Sequence, residues 1–458
     1  MLRRLRDRLL QHRLLRRVVL LATGAAAGQV LIVLVTPILS RLFTPEEFGW
    51  FASFTGLMGF VGMAACWRYD AAVPLARSTA DAAHTVILAV ALACVTALLV
   101  AIGLVWLGPW LAARMMLPNA GTLLYWLVPG IILVGVSLAF DGWSMQRGDV
   151  RAMVVSKFGQ GLGIALLQLS FGLLGWGESG LIAGYVLGYV VAAAAIGWRL
   201  PGEAWRSLAR AEPQRVVALA RSHWRFAVLS TPATLLNGAS RLLPPLLVAL
   251  TFGPALAGLY GLAQRVVGLP IRFIGISVGQ VYTSEINRLG ADAAPDLLRM
   301  FRRTTLIFVA LGLLFLAPLA ALGPELFALV FGERWRLSGE IVLWLAPMYL
   351  LTFVRMPTRH ALYICNRHDV HLWLAAAAAL IKAGLRDGVS HDSRLQHRLR
   401  GRQSGLSRHR RPRARCARTF VHCQSGIICF QDRLGCVGNV ATRQCTWTNG
   451  ERASGLGG

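Results

Sequence analysis

Long apolar runs, separated by short polar segments, dominate the first 382 residues of the chain. Many of these runs reach or approach the roughly 20 residues that an α-helix needs to cross a bilayer. The pattern predicts an all-α polytopic membrane protein with ten spans, near residues 18–40, 46–66, 84–108, 121–143, 153–175, 178–198, 226–251, 255–284, 304–323 and 339–364. An eleventh apolar run begins at Val370 and stops after about a dozen residues, which is too short to span.

The composition supports a membrane protein over a soluble one. Hydrophobic residues make up 55% of the chain and charged residues only 15%. A soluble protein of ordinary composition carries about 25% charged residues. The composition therefore favours membrane spans over the buried helices of a soluble domain.

A short motif occurs twice, 209 residues apart. Each copy consists of Phe, Pro, Gly and an aromatic residue at fixed spacing, namely Phe43, Pro45, Gly49 and Phe51, and then Phe252, Pro254, Gly258 and Tyr260. Both copies follow a helix that is predicted to run outward, so they share one orientation in the membrane. Parallel repeats of this kind relate two halves by an axis along the membrane normal, with a substrate site between them. The repeat predicts two lobes of about six helices, the second of which is truncated.

The distribution of positive charge predicts the orientation and the domain boundaries. With the N-terminus inside, the inner segments up to residue 382 carry 23 Lys and Arg residues and the outer loops carry 4. This asymmetry follows the positive-inside rule. We expect a basic cytoplasmic arm (1–17), a first transmembrane lobe (18–198), a cytoplasmic linker (199–225), an incomplete second lobe (226–382) and a tail (383–458).

The tail differs in composition from the rest of the chain. It contains 14 Arg and 5 Cys residues, no Lys and only 4 acidic residues. This composition is typical of GC-rich DNA read out of frame, and we interpret the tail as an out-of-frame or disordered segment. One alternative is a tail that binds RNA or acidic lipid through 408–418. Another is a zinc site, although the tail has no Cys-x-x-Cys pair.

Four segments within residues 15–380 carry a resemblance to a known family. They read TPILSRLFTPEEFGWFASF, WRYDAAVPLARSTADAAH, FGPALAGLYGLAQRVVGLPI and FGERWRLSGEIVLWLAPMYLL. In this order they are similar to the polysaccharide flippases of bacterial surface-glycan pathways. This family belongs to the multidrug/oligosaccharidyl-lipid/polysaccharide exporter superfamily. The chain departs from the family after Lys382, where the family would complete an eleventh helix and add a twelfth.

The resemblance implies both a function and partners. It implies two lobes around a central cavity that opens alternately to either side of the inner membrane. The implied cargo is an undecaprenyl-diphosphate-linked oligosaccharide for O-antigen, capsule or exopolysaccharide. Membrane lipids, a polysaccharide polymerase and chain-length machinery are the implied partners, and no nucleic acid is expected.

Ionisable side chains within the spans are the candidate transport residues, because charge inside a bilayer is costly. Arginine binds phosphate oxygens with a bidentate fork, so a cationic cavity would suit a lipid diphosphate. The candidates for substrate binding are Arg241, Arg265, Arg272 and Arg355. The alternative for each is a position near a span end, from which the side chain reaches the interface.

Two acidic residues are candidates for coupling transport to an ion gradient. Asp70 and Asp141 lie near the inner ends of the second and fourth spans. The alternative for Asp70 is a pairing with a nearby Arg at the membrane surface.

No catalytic motif, cofactor motif or metal motif is evident in the sequence. The chain has no phosphate-binding Gly-x-x-x-x-Gly-Lys loop and no His-Glu-x-x-His motif. We therefore expect a transporter that is not an enzyme. The alternatives are an inactive truncated flippase, a drug or cation exporter of the same superfamily, and a membrane glycan polymerase or ligase.

Overall fold

The architecture was analysed in a computed structural model of the chain. The structure describes residue 24 and residues 27–76, 78–114, 120–200, 202–210, 212–268 and 294–364. The basic arm, the eleventh apolar run and the tail lie outside these residues. Their predicted roles, and the domain boundaries that depend on them, stay predictions.

The first lobe consists of seven described helices. They are α1 (Ala27–Leu42), α2 (Pro45–Gly62), α3 (Thr79–Arg114), α4 (Ala120–Tyr125), α5 (Leu127–Gln146), α6 (Val150–Leu173) and α7 (Gly177–Arg199). Helices α4 and α5 follow each other within one predicted span. Two short 3-10 turns, Tyr69–Ala71 and Val73–Leu75, connect α2 to α3.

Two short linker helices and a second lobe follow. The linker contains α8 (Gly202–Ala209) and α9 (Pro213–Ser222). The described second lobe contains a π-helical turn (Phe226–Ser230), α10 (Thr231–Leu242), α11 (Pro244–Phe252), α12 (described over 254–268), α13 (Ala294–Phe331) and α14 (Arg336–Ile364). The described residues contain no β-strand, so the predicted all-α class is confirmed.

The repeated motif marks equivalent helix starts in the two lobes. Thr44 caps α2 in a reciprocal capping box, in which the Glu47 amide donates to Thr44 Oγ1 and the Thr44 amide donates to Glu47 Oε2 at 2.6 Å. Pro45 is the first residue of α2, where its missing N–H costs nothing. Pro254 opens α12 in the same way, after Gly253 with a positive φ of 90°.

The two motif helices cross at their repeated glycines. A Cβ atom on Gly49 would overlap the carbonyl oxygen of Pro254, and one on Gly258 would overlap the carbonyl oxygen of Pro45. The contact is therefore reciprocal, as expected for two halves related by a two-fold axis. Only glycine lets two helix backbones approach this closely.

The lobes also meet at the end of the molecule where the motifs lie, which we call the motif end. The indole Nε1 of Trp335, in the turn between α13 and α14, donates to the carbonyl oxygen of Ser40 at 2.9 Å. The Ser40 hydroxyl donates in turn to the carbonyl oxygen of Phe331 at 3.1 Å. The rings of Phe48 and Trp335 pack edge to face with centroids 5.0 Å apart. These buried contacts hold α1 and α2 against the second lobe.

The opposite end of the molecule, which we call the basic end, holds the linker against the first lobe. The Tyr69 hydroxyl donates to the carbonyl oxygen of Ala220 at 2.9 Å. The Glu212 amide donates to His84 Nε2 at 3.1 Å, and Arg215 pairs with Asp81 at 3.7 Å. The predicted linker is therefore two surface helices that pack on the start of α3.

The surface of the helices suits a lipid environment. Five helices among the described residues are long and apolar enough to cross a membrane. Large apolar side chains are exposed along them, such as Trp106 at 82% and Leu314 at 74%. The spans predicted at 304–323 and 339–364 leave an outer loop between them, and this expectation is wrong: α13 continues to Phe331 and leaves only a short turn before Arg336.

Candidate functional site

Arg265 occupies the position where the two lobes face each other. It lies eleven residues after Pro254, so α12 carries it about 16 Å from the motif end, near the middle of a bilayer. Its guanidinium carbon lies 6.0 Å from the ring centroid of Phe51, which belongs to the first lobe. The sequence-based candidate therefore lies against the opposite lobe, at a depth where charge is costly.

The guanidinium of Arg265 is incompletely satisfied. Its Nη1 atom is enclosed by protein and has no hydrogen-bond partner among the described residues. The Phe51 ring and the nearby Tyr185 phenol interact with the cation but give this N–H group no acceptor. A buried N–H group of a cation without an acceptor is unfavourable, so this nitrogen is available to an anionic ligand.

Aromatic rings connect this position to the motif end. Phe48 packs on Phe51 with centroids 6.4 Å apart, and Phe51 packs on Tyr185 at 5.7 Å. Tyr185 packs in turn on Tyr189 at 5.6 Å, and the two hydroxyl oxygens lie 3.4 Å apart. The face of α7 that is turned to Arg265 thus presents two phenol groups.

The other three candidate arginines are not brought together with Arg265 by the described part of the chain. Arg241 lies near the end of α10 and its side chain is exposed. Arg272 lies outside the described residues. Arg355 is in α14, and its side chain lies outside the described part of the structure. Their roles in substrate binding stay predictions.

The two acidic candidates each pair with a cation. Asp70 pairs with Arg68 at 3.8 Å, which confirms the expected pairing with a nearby Arg. Burial raises the pKa of Asp70, and the Arg68 charge opposes that shift. Asp141 contacts Lys157 of α6 at 2.5 Å. Neither pairing tests a role in ion coupling.

A separate shallow apolar cleft, partly open to the surface, lies beside the motif end of α2. Its lining is Trp50, Ser53, Phe54, Leu57, Leu111, Leu123, Leu124, Ile182 and Leu246. None of these lining residues is charged. The cleft does not offer the charge that a phosphate group would need.

The candidates predicted from the sequence did not include the polar residues of the first lobe near Arg265. Tyr185 and Tyr189 lie four residues apart in a run of otherwise small and aliphatic residues, which places them on one face of a helix. Gln160 contacts Tyr189 from α6. Their spacing was visible in the sequence, but their closeness to Arg265 depends on how the lobes pack.

Two lobes built on parallel repeats, with a cation at their interface, are the architecture of a membrane transporter. The profile of the family described as "Polysaccharide biosynthesis protein" matches residues 38–339. The chain therefore belongs to this polysaccharide biosynthesis family. No curated protein matches the chain significantly.

A solved transporter structure shares the fold. The inward-facing structure of a multidrug resistance MATE family transporter of the MOP superfamily is 16% identical, with a TM-score of 0.57 over 73% of this chain and 80% of that one. The eukaryotic MATE transporter AtDTX14 is 17% identical, with a TM-score of 0.49 over 76% of this chain and 82% of that one. At this identity the first likeness concerns the fold alone.

Proposed function

We propose that this protein is a flippase of the bacterial inner membrane that moves undecaprenyl-diphosphate-linked oligosaccharides to the outer leaflet. The family membership supports a transporter in polysaccharide biosynthesis. The observation that carries the finer proposal is Arg265, an incompletely satisfied guanidinium at the interface of the two lobes.

The chemistry of the headgroup matches this position. A diphosphate offers several anionic oxygens, and guanidinium binds such oxygens with two parallel hydrogen bonds. At the interface of the lobes, the Phe51 and Tyr185 rings limit water, which strengthens this attraction. In the same proposal Arg241, Arg272 and Arg355 supply further positive charge along the path.

The predicted topology fits this direction of transport. The cargo that the resemblance implies starts on the inner leaflet, and the N-terminus and the linker would lie on that side by the positive-inside rule. The polymerase and chain-length machinery would then receive the unit on the outer side. Asp70 and Asp141 are the candidates for coupling to an ion gradient.

Replacement of Arg265 tests the proposal in cells. Arg265→Ala should reduce surface-glycan export by tenfold or more, because a hydrogen bond to a charged group is worth about 1.5–3 kcal/mol. Arg206→Ala in α8 is the matched control, because Arg206 is an exposed arginine of the linker. Normal export by Arg265→Ala, at equal protein level, would contradict the proposal.

A further inference from the structure

The first lobe also carries a cation within a span, Lys157. Along the helix axes it lies between the basic end and the level of Arg265. Lys157 lies seven residues after the first residue of α6, Val150, or about 10 Å along the helix. Asp141 lies five residues before the end of α5 at Gln146. The two side chains therefore meet inside the basic end, closer to that surface than Arg265 is.

Polar side chains connect Lys157 to Arg265. Gln160 lies one turn beyond Lys157 on α6 and contacts the Tyr189 hydroxyl. Tyr189 lies next to Tyr185, whose phenol is close enough to Arg265 to interact with its charge. Gln160, Tyr189 and Tyr185 thus form a row of polar side chains from one cation to the other. We call it the hydroxyl row, after its two tyrosine hydroxyls.

Lys157 stays partly accessible while it is paired with Asp141. Lys157 Nζ lies 2.5 Å from Asp141 Oδ2, and the Lys157 side chain is 32% exposed. The other carboxylate oxygen, Asp141 Oδ1, is enclosed and has no hydrogen-bond partner among the described residues. A pair that served only to stabilise the lobe would be expected to satisfy both oxygens.

The chemistry of lysine suits a site of first contact. Its ammonium is a compact charge on a flexible stem with three donors, so it can turn from one acceptor to another. A phosphate oxygen can therefore replace the carboxylate without a change in the backbone. Asp141 would then hold Lys157 in place between transport cycles.

We propose that Lys157 is an entry subsite for the anionic diphosphate headgroup, that Asp141 competes with the headgroup for it, and that the hydroxyl row leads from it to Arg265. This inference rests on the proposed function. It adds a first binding step at the basic end, before the headgroup reaches the interface of the lobes.

Opposite effects of two substitutions test this inference. The purified full chain is reconstituted in liposomes, and the initial transport rate is measured against the amount of a prenyl-diphosphate-linked disaccharide. Lys157→Gln should raise the half-saturating amount about tenfold, because one hydrogen bond to a charged group is lost. Asp141→Asn should lower it, because Lys157 then has no competing carboxylate.

The double variant Asp141→Asn/Lys157→Gln separates binding from structure. Under the proposal it behaves like Lys157→Gln, whereas a merely structural pair would give wild-type transport once both charges are removed. Arg151→Gln is the matched control, because Arg151 is an exposed cation on the same helix and at the same end. Melting temperatures of all variants show whether each one folds.

Two results would overturn the inference. The first is an unchanged half-saturating amount for Lys157→Gln in a preparation where the wild type transports the lipid. The second is a higher half-saturating amount for Asp141→Asn at an unchanged melting temperature, which would show that Asp141 does not compete with the headgroup. A wild type that transports no prenyl-diphosphate lipid would instead refute the proposed function itself.

Discussion

Gly49 and Gly258, 209 residues apart in the chain, pack backbone against backbone where α2 and α12 cross. Each glycine approaches the carbonyl oxygen of the proline that opens the other helix, Pro254 or Pro45. The two copies of the motif therefore do more than mark a duplication. Each copy forms half of one contact between the lobes.

Alanine at either glycine should destabilise the protein. The added methyl group would overlap backbone atoms of the other lobe, and overpacking of this kind costs about 1–3 kcal/mol. We expect lower melting temperatures in detergent for Gly49→Ala and for Gly258→Ala. Gly103→Ala is the control, because an added Cβ there meets no atom within 4 Å. Equal melting temperatures for all three variants would contradict the reciprocal contact.

The two alanine substitutions should not be additive. Both separate the same pair of helices, so the double variant should lose less stability than the two single losses together. Thermal melting of the double variant checks this. Full additivity would mean that the two glycines act at independent sites.

Trp335→Phe should weaken the contact between the two lobes at the motif end. The change removes the indole donor to the carbonyl oxygen of Ser40, a loss of about 1 kcal/mol, and keeps most of the aromatic packing on Phe48. We expect a cysteine placed at Ser40 to react faster with a water-soluble thiol reagent. Trp344→Phe is the control, because Trp344 is 69% exposed. Equal reactivity of this cysteine with and without Trp335→Phe would refute a role of the Trp335 hydrogen bond in holding the lobes together.

Tyr69→Phe should loosen the linker at the basic end. Tyr69 is buried and its hydroxyl donates to Ala220 of α9, so the variant loses one tie and leaves a carbonyl without its donor. We expect faster trypsin cleavage after Arg215 and Arg221. Tyr125→Phe is the control, because Tyr125 is half exposed. An unchanged cleavage rate would show that the Glu212–His84 hydrogen bond and the Arg215–Asp81 ion pair are enough to hold the linker.

Asp70 should make the stability depend on pH. Burial raises the pKa of its carboxyl in the folded state, so the folded state binds the proton more tightly than the unfolded state does. Stability should therefore fall as pH rises from the ordinary range of Asp, near 4, through the raised pKa, and then level off. Asp70→Asn should reduce this slope in melting temperatures between pH 4 and pH 8. An identical slope in the variant would assign it to other groups.

The sequence predicted the all-α class and the two-lobe plan, because apolar length and the repeated motif can be read directly from the chain. Helix α2 begins at Pro45, as the motif and the capping residue Thr44 indicate. The end of α13 was missed, because Pro324 within the helix resembles a loop residue. Membrane helices tolerate such a proline, because neighbouring helices and side chains satisfy the backbone groups that it leaves free.

The candidate site was predictable only in part. A charge within a span singled out Arg265, but the same rule singled out Arg241, whose side chain is exposed. The partner of Asp141 could not be read from the sequence, since Lys157 lies on a different helix. Phe51 and Tyr185 lie far apart in the chain, so only the packing of the lobes shows their contact with Arg265.

Transport by the purified protein tests the central claim most directly. The full chain and its Arg265→Ala variant are reconstituted in liposomes with a prenyl-diphosphate-linked oligosaccharide in one leaflet, and its arrival in the other leaflet is measured. We predict rapid transfer by the wild type, slow transfer by the variant, and no transport of an organic cation such as ethidium. Transport of ethidium without transfer of the lipid would contradict the account and favour a drug exporter.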